Sequence, residues 1–146
     1  MNAPLFPLRG EAAGHAAEGG LRYERLGKGQ GLPLAPVDGR MPFASGPEKV
    51  RQSIFIILDT EPGERVMLPE FGCGLRRFLM HPNNGATRAQ IEREVGLALQ
   101  QWEPRIKVTQ VAVTGADDPA LLLVEIQYLH AVDGRRDMLV YPFYLE

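Results

Sequence analysis

Apolar residues recur at helical spacing in two stretches of the chain and alternate in the segments that follow. Val50, Ile54, Ile57 and Leu58 fall on one helical face. Ahead of them, Ser45-Gly46-Pro47-Glu48 fits a capping box, in which the serine oxygen takes a first-turn N–H and Glu48 reaches back. Phe55 and Ile56 lie outside the stripe, so this helix is apolar over more of its girth than one core contact requires. It is expected to be buried on two sides or to meet another protein. Pro62-Gly63 ends it.

Residues 61 to 74 then read as a shaped loop with a short extended piece at 65 to 68, and residues 75 to 80 as a helical turn or two before His81-Pro82. Thr87-Arg88-Ala89-Gln90 is a second capping box. Ile91, Val95, Ala98, Leu99 and Trp102 follow on one face, with Glu92, Arg93 and Glu94 turned away and Pro104 as the stop.

Beyond Pro104 the period changes to two. Leu122, Val124, Ile126 and Tyr128 alternate with Leu123, Glu125, Gln127 and Leu129, and Asp133-Gly134 predicts a hairpin into residues 138 to 145. Residues 106 to 113 form the third strand; its apolar phase changes between Val108 and Val111, which predicts a bulge or a second buried face. Pro142 lacks a ladder donor, so the last strand is expected at an edge. Helices followed by strands give an α+β fold, with helices packed on one face of a small, mainly antiparallel sheet that ends in a three-stranded meander.

The first 46 residues differ in character. They hold nine Gly and five Pro, as many of these breakers as the remaining 100 residues together. Backbone entropy argues against a regular element at Glu18-Gly19-Gly20 or Gly27-Lys28-Gly29-Gln30-Gly31. Scattered apolar residues (Leu5, Phe6, Leu21, Tyr23, Leu26, Leu32, Leu34, Met41, Phe43) are many for an inert linker. Residues 1 to 46 are therefore read as an extended arm that orders against a neighbour, and residues 47 to 146 as the domain.

Composition narrows the classes of partner. Sixteen basic against eighteen acidic residues give a net charge of −2, with no electrostatic case for nucleic acid or an anionic membrane. The longest apolar run, residues 54 to 58, is far short of a spanning helix, and no signal-peptide pattern opens the chain. One cysteine, Cys73, forms no internal disulfide, which suits folding in a reducing cytoplasm.

Catalytic signatures are lacking. Cys73 and His81 have generic spacing with no third group, and His15, His81 and His130 make no i, i+4 metal pair. Gly27, Gly29 and Gly31 are not set between a strand and a helix as a phosphate cradle requires. Phe71-Gly72-Cys73-Gly74 reads as a tight turn before a short helix, with an anion site at its bare N–H groups as the alternative. Glu64, Glu70 and Glu103 are the carboxylates a glycosidase would need as a facing pair. No catalytic residue, cofactor or metal is assigned.

Several motifs in one order carry a resemblance. Val50 to Leu58 is followed by Asp59-Thr60-Glu61-Pro62-Gly63-Glu64-Arg65, then by Met67-Leu68-Pro69-Glu70-Phe71-Gly72-Cys73-Gly74-Leu75. Pro82-Asn83, the capped helix and Trp102-Glu103-Pro104-Arg105-Ile106 come next. Over about residues 47 to 145 the chain resembles the baseplate wedge and sheath-initiator family of contractile injection machines, with Glu-Pro-Arg at the helix-to-strand junction as its signature. The resemblance implies a structural baseplate protein that contacts sheath subunits, other wedge proteins and the tube or its hub and spike in a sixfold ring. It also implies a sheet that starts the sheath by accepting strands.

Assembly would take place in the cytoplasm, and the product would be a phage tail or a tail-like particle. The resemblance leaves phage, secretion system and extracellular particle open. Expected partner-binding residues are Glu70 and Phe71, the Glu103-Pro104-Arg105 corner, and the last strand through Leu139, Val140, Tyr141, Phe143 and Tyr144. The competing readings are a small cell-wall glycan hydrolase, since some relatives have carried lysozyme names, and a free adaptor domain.

Overall fold

The computed structural model describes residues 24–36 and 38–145. Contacts divide the chain into two units, Met1–Lys49 and Val50–Glu146. Leu5, Phe6, His15, Leu21 and Tyr23, on which much of the arm reading and one of the histidines rest, lie outside the described residues.

In the first unit a 3-10 turn, Glu24–Leu26, precedes β1, Lys28–Gln30, which pairs antiparallel with β2, Phe43–Ser45. Here the structure departs from the sequence reading, which kept residues 27 to 31 out of any regular element. The pairing succeeds because the ladder is closed at both ends, by Gly46 N–H on the Gly27 carbonyl at 3.2 Å and Gly31 N–H on Pro42 at 2.7 Å. The Lys49 ammonium adds a bond to the Gln30 carbonyl at 2.9 Å.

Helix α1, Pro47–Asp59, starts on proline, whose missing N–H is one a helix leaves unpaired anyway. Gly46, at φ 62°, precedes it, so Ser45 sits one residue early for a cap and ends β2 instead. From Val50 onward α1 belongs to the second unit, where Val50, Ile54, Ile57 and Leu58 are buried as the stripe predicts. Phe55 lies 5.8 Å from the ring of Tyr141, so the extra apolar girth is spent partly on the sheet.

A 3-10 turn, Leu75–Phe78, leads to helix α2, Gly85–Trp102. Its cap is Asn84, whose side chain accepts the Thr87 N–H at 2.9 Å. Thr87 is therefore a buried residue of the first turn rather than the cap. Ile91, Val95 and Leu99 are fully buried, each contributing on the order of 2 kcal/mol of burial.

Strands β3 (Ile106–Gly115), β4 (Leu121–His130) and β5 (Arg136–Tyr144) form an antiparallel meander in the order β3-β4-β5. The register slips between Val108 and Gln110, where the change of apolar phase placed a bulge. Leu122, Val124 and Ile126 are fully buried on one face. Both helices pack on this sheet, α2 along β3 and α1 through Phe55 and Asp59 to Tyr141. The fold is α+β, as the pattern predicts.

Candidate functional site

The loop after α1 is one rigid corner. Thr60 accepts Cys73 N–H at 3.0 Å, Gly63 N–H reaches Pro69 at 2.6 Å, and Phe71 N–H reaches Leu68 at 3.1 Å. Residues 65 to 68 are turned, not extended, with Leu68 N–H on the Arg65 carbonyl at 3.3 Å. Glu61 holds Arg76 N–H at 2.9 Å, and Arg76 pairs with Glu64 at 2.8 Å. Gly72 makes the closure possible: it has φ 125°, and a Cβ there would lie 2.1 Å from the Thr60 oxygen.

Of the two residues expected to bind partners here, Glu70 is exposed. Phe71 is buried between the Arg65 guanidinium, 3.7 Å from its centroid, and Trp102 at 5.3 Å. The residues that do project are Val66 and Met67, 91% and 93% exposed, at the tip of the corner. Sequence reasoning missed them because two apolar residues beside Leu68 look like a strand.

Glu103, Pro104 and Arg105 join the end of α2 to β3. Glu103 caps the helix through its N–H on Leu99 at 3.0 Å. Its side chain is 1% exposed, and Arg105 grips it with Nε on Oε1 and Nη2 on Oε2, both at 2.5 Å. The Arg105 carbonyl takes Ala131 N–H at 2.8 Å, tying the corner to the β4–β5 turn. The carboxylate thus faces inward; what the corner shows outside is Pro104 and the 29% exposed guanidinium side chain.

In β5 the expected contact set divides by face. Leu139, Tyr141 and Phe143 are core residues, and Tyr141 donates to Asp59 at 2.5 Å. Val140 and Tyr144 point outward with Met138, at 44%, 55% and 51% exposure. Five aromatic and aliphatic side chains looked like surplus surface in the sequence, yet alternation sends three of them into the domain.

Titratable groups are arranged for packing. Burial pushes the Cys73 thiol up to about 12, with Glu94 and Glu61 adding to it, so it is no ready nucleophile. Burial likewise raises Tyr128 to about 12. Burial works to raise the Asp137 carboxyl, but Arg51 at 2.6 Å and the Met138 amide outweigh it and hold it below its ordinary value. His130, 1% exposed, lies 3.5 Å from that carboxylate.

A shallow depression of about 580 Å³ is lined by Thr109, Gln127, Tyr128, Arg136, Asp137 and Met138, of which Asp137 alone is acidic. Glu64 is paired and Glu103 is gripped, so neither stands as half of an open acid pair. Among the described residues no group of three His, Cys, Asp or Glu is placed to hold a metal. No described helix is long and apolar enough to cross a membrane.

The described residues thus form a small α+β domain with a hydrogen-bonded corner, a gripped Glu-Pro-Arg junction and β5 at the edge of its sheet. The model of the family described as baseplate wedge protein gp25 matches residues 44–134. The chain is 34% identical over 83 residues to baseplate wedge protein gp25 of Enterobacteria phage T4, spanning 63% of that protein and 57% of its own length. Against baseplate protein W of Escherichia phage P2 it is 34% identical over 97 residues, 66% of this chain and 76% of that one.

Among solved structures, a Geobacter sulfurreducens protein provisionally named a tail lysozyme aligns with TM-score 0.64 and 43% identity over 68% of this chain and 90% of that one. A chain of the postcontracted pyocin R2 baseplate aligns with TM-score 0.52 and 29% identity, over 80% of this chain and 97% of that one. The chain belongs to the gp25 baseplate wedge family.

Proposed function

We propose that the chain is a non-enzymatic wedge subunit that joins its neighbours in a sixfold baseplate ring around the tube and starts the sheath by pairing strands. The observation that carries the sheath part is β5, an edge strand in the sheet order, with Val140 and Tyr144 turned outward. An uncovered edge invites pairing, and a docking protein uses that property for strand addition. The rigid Val66-Met67 corner supports a second contact, with a neighbouring wedge protein, since a preorganised apolar tip loses little entropy on docking. The pyocin R2 baseplate chain supports partners of this kind.

The test is growth of sheath from purified subunits on baseplates with and without the chain. Sheath is expected only where the chain is present; full-length sheath on baseplates lacking it overturns the initiator role. A glycan hydrolase is disfavoured because the carboxylates singled out do not form an open pair. Clearing of peptidoglycan by the purified chain that disappears in Glu70→Gln would reverse that conclusion.

A further inference from the structure

The sheet turns one face to the helices and the other to solvent. A solvated face of an antiparallel sheet is ordinarily polar at alternate positions. Here the outer positions of the central strand include Leu121, Leu123 and Leu129, all only half-buried. The register sets Leu121 beside Tyr144 and Leu123 beside Pro142, so one end of the face is apolar across two strands.

The other end is basic. Leu129 lies between Lys107 on β3 and Arg136 on β5. Both cations are exposed, and neither is ion-paired among the described residues. Arg136 lines the shallow depression together with Gln127 and Met138. At the middle of the face stands Glu125, beside Val140, accepting a bond from Gln127 at 2.9 Å. Along the strands the face therefore reads cation, carboxylate, then apolar.

These side chains, rather than backbone, are what the face offers, because the strands beneath are already bonded to one another. An extended segment laid on it would leave its own N–H and C=O groups unpaired, whereas a helix pairs its own. Three strands span about 10 Å, close to the diameter of one helix. Arg136 and Tyr144 are about 27 Å apart along β5, the length of about 18 helical residues. A second copy of this chain fits poorly, since a twofold axis through the middle of the face sets Glu125 against Glu125.

We infer that the outer face of the sheet seats an amphipathic helix of a neighbouring baseplate protein. That helix carries a carboxylate at the Lys107 and Arg136 end, a lysine or arginine over Glu125, and apolar side chains over Leu121, Leu123 and Pro142. The inference rests on the wedge-subunit reading and not on the sheath reading. A strand added at the β5 edge bonds in the plane of the sheet and leaves this face open.

Photo-crosslinking in assembled particles tests it. Benzoyl-phenylalanine replaces Met138 in one full-length chain and Tyr144 in another, and the captured peptides are sequenced. Both positions are expected to capture one segment of one other protein, with apolar residues at helical spacing. Its acidic residue should lie toward the Met138 cross-link. Arg136→Glu should then lower co-purification of that protein at least tenfold in a chain that melts like the parent, and a lysine at the captured carboxylate should restore it.

Capture of a second copy, of a segment with strand alternation, or of nothing overturns the inference, as does unchanged co-purification with Arg136→Glu. Should Arg136→Glu fail to fold, the order of charges in the captured peptide decides instead; a peptide whose basic or apolar end meets Met138 refutes the charge match. If the unaltered chain is absent from particles, the wedge reading falls as well. Loss of sheath with these cross-links intact would leave the inference standing and touch only the β5 edge.

Discussion

Arg105→Ala is expected to unfold the domain more than it disturbs any contact outside it. Glu103 is 1% exposed and its two oxygens are each held at 2.5 Å by the Arg105 guanidinium. Removing one partner of a buried pair leaves an uncompensated charge and typically costs about 3–5 kcal/mol. The Arg105 side chain is 29% exposed, so water can enter the vacated space, and the lower end, about 3 kcal/mol, applies.

At roughly 4–8 °C per kcal/mol for a domain of this size, the melting temperature should fall by about 12–24 °C. Arg105→Lys keeps the charge but loses the fork and should recover about half of that. Glu103→Gln should cost less, about 1–2 kcal/mol, since the neutral amide oxygen still accepts from the guanidinium, which also reaches water. Thermal and urea unfolding of these chains and of the Arg105→Ala, Glu103→Gln double variant at neutral pH close a double-mutant cycle that measures the coupling. An Arg105→Ala chain that melts within about 3 °C of the parent yet fails to assemble would refute the argument and make the guanidinium a partner contact.

Gly72→Ala combines a positive φ with a Cβ 2.1 Å from a backbone oxygen that cannot yield, so a loss on the order of 3 kcal/mol is expected in urea unfolding, and a loss below about 1 kcal/mol would mean that the corner relaxes freely. Asp137 titrates lower in the folded chain than in the unfolded one, so its contribution is fully present above about pH 4 and is lost as pH falls through the folded value. Asp137→Asn should therefore lose less stability than the parent between about pH 5 and pH 2; parallel pH curves would show that the Arg51 pair contributes nothing.

The apolar stripes of both helices, the alternation of β4 and the bulge near Val108 were legible because each is a local period written in consecutive residues. Cap positions were not. Thr87 carries a good capping side chain, but Asn84 three residues earlier starts the helix by accepting the Thr87 N–H, which leaves Thr87 inside the first turn to be buried. The β1–β2 pair was invisible for another reason: two three-residue strands separated by twelve residues have no periodicity to detect, and their pairing is a non-local fact. Glu103 shows the same limit at the corner. A glutamate at a helix end reads as solvated, and only the chain's return through Arg105 encloses it.

The edge poses the hardest case, because alternation in a strand reports which face a side chain takes and is silent on where the backbone groups point in the plane of the sheet. Residues 139, 141 and 143 looked like docking surface and are core, so removing residues 140 to 146 would take Tyr141, Phe143 and Leu145 out of the domain along with any partner contact. Such a deletion confuses folding with docking. Backbone direction follows instead from ladder parity, which the Leu145–Ala120 and His130–Arg135 bonds fix from either end. Pro142 falls on an outward position, where its missing donor leaves the β4 ladder intact. The apolar content of β5 thus serves the core through one face, and the direction of its backbone groups is something a side-chain pattern cannot display.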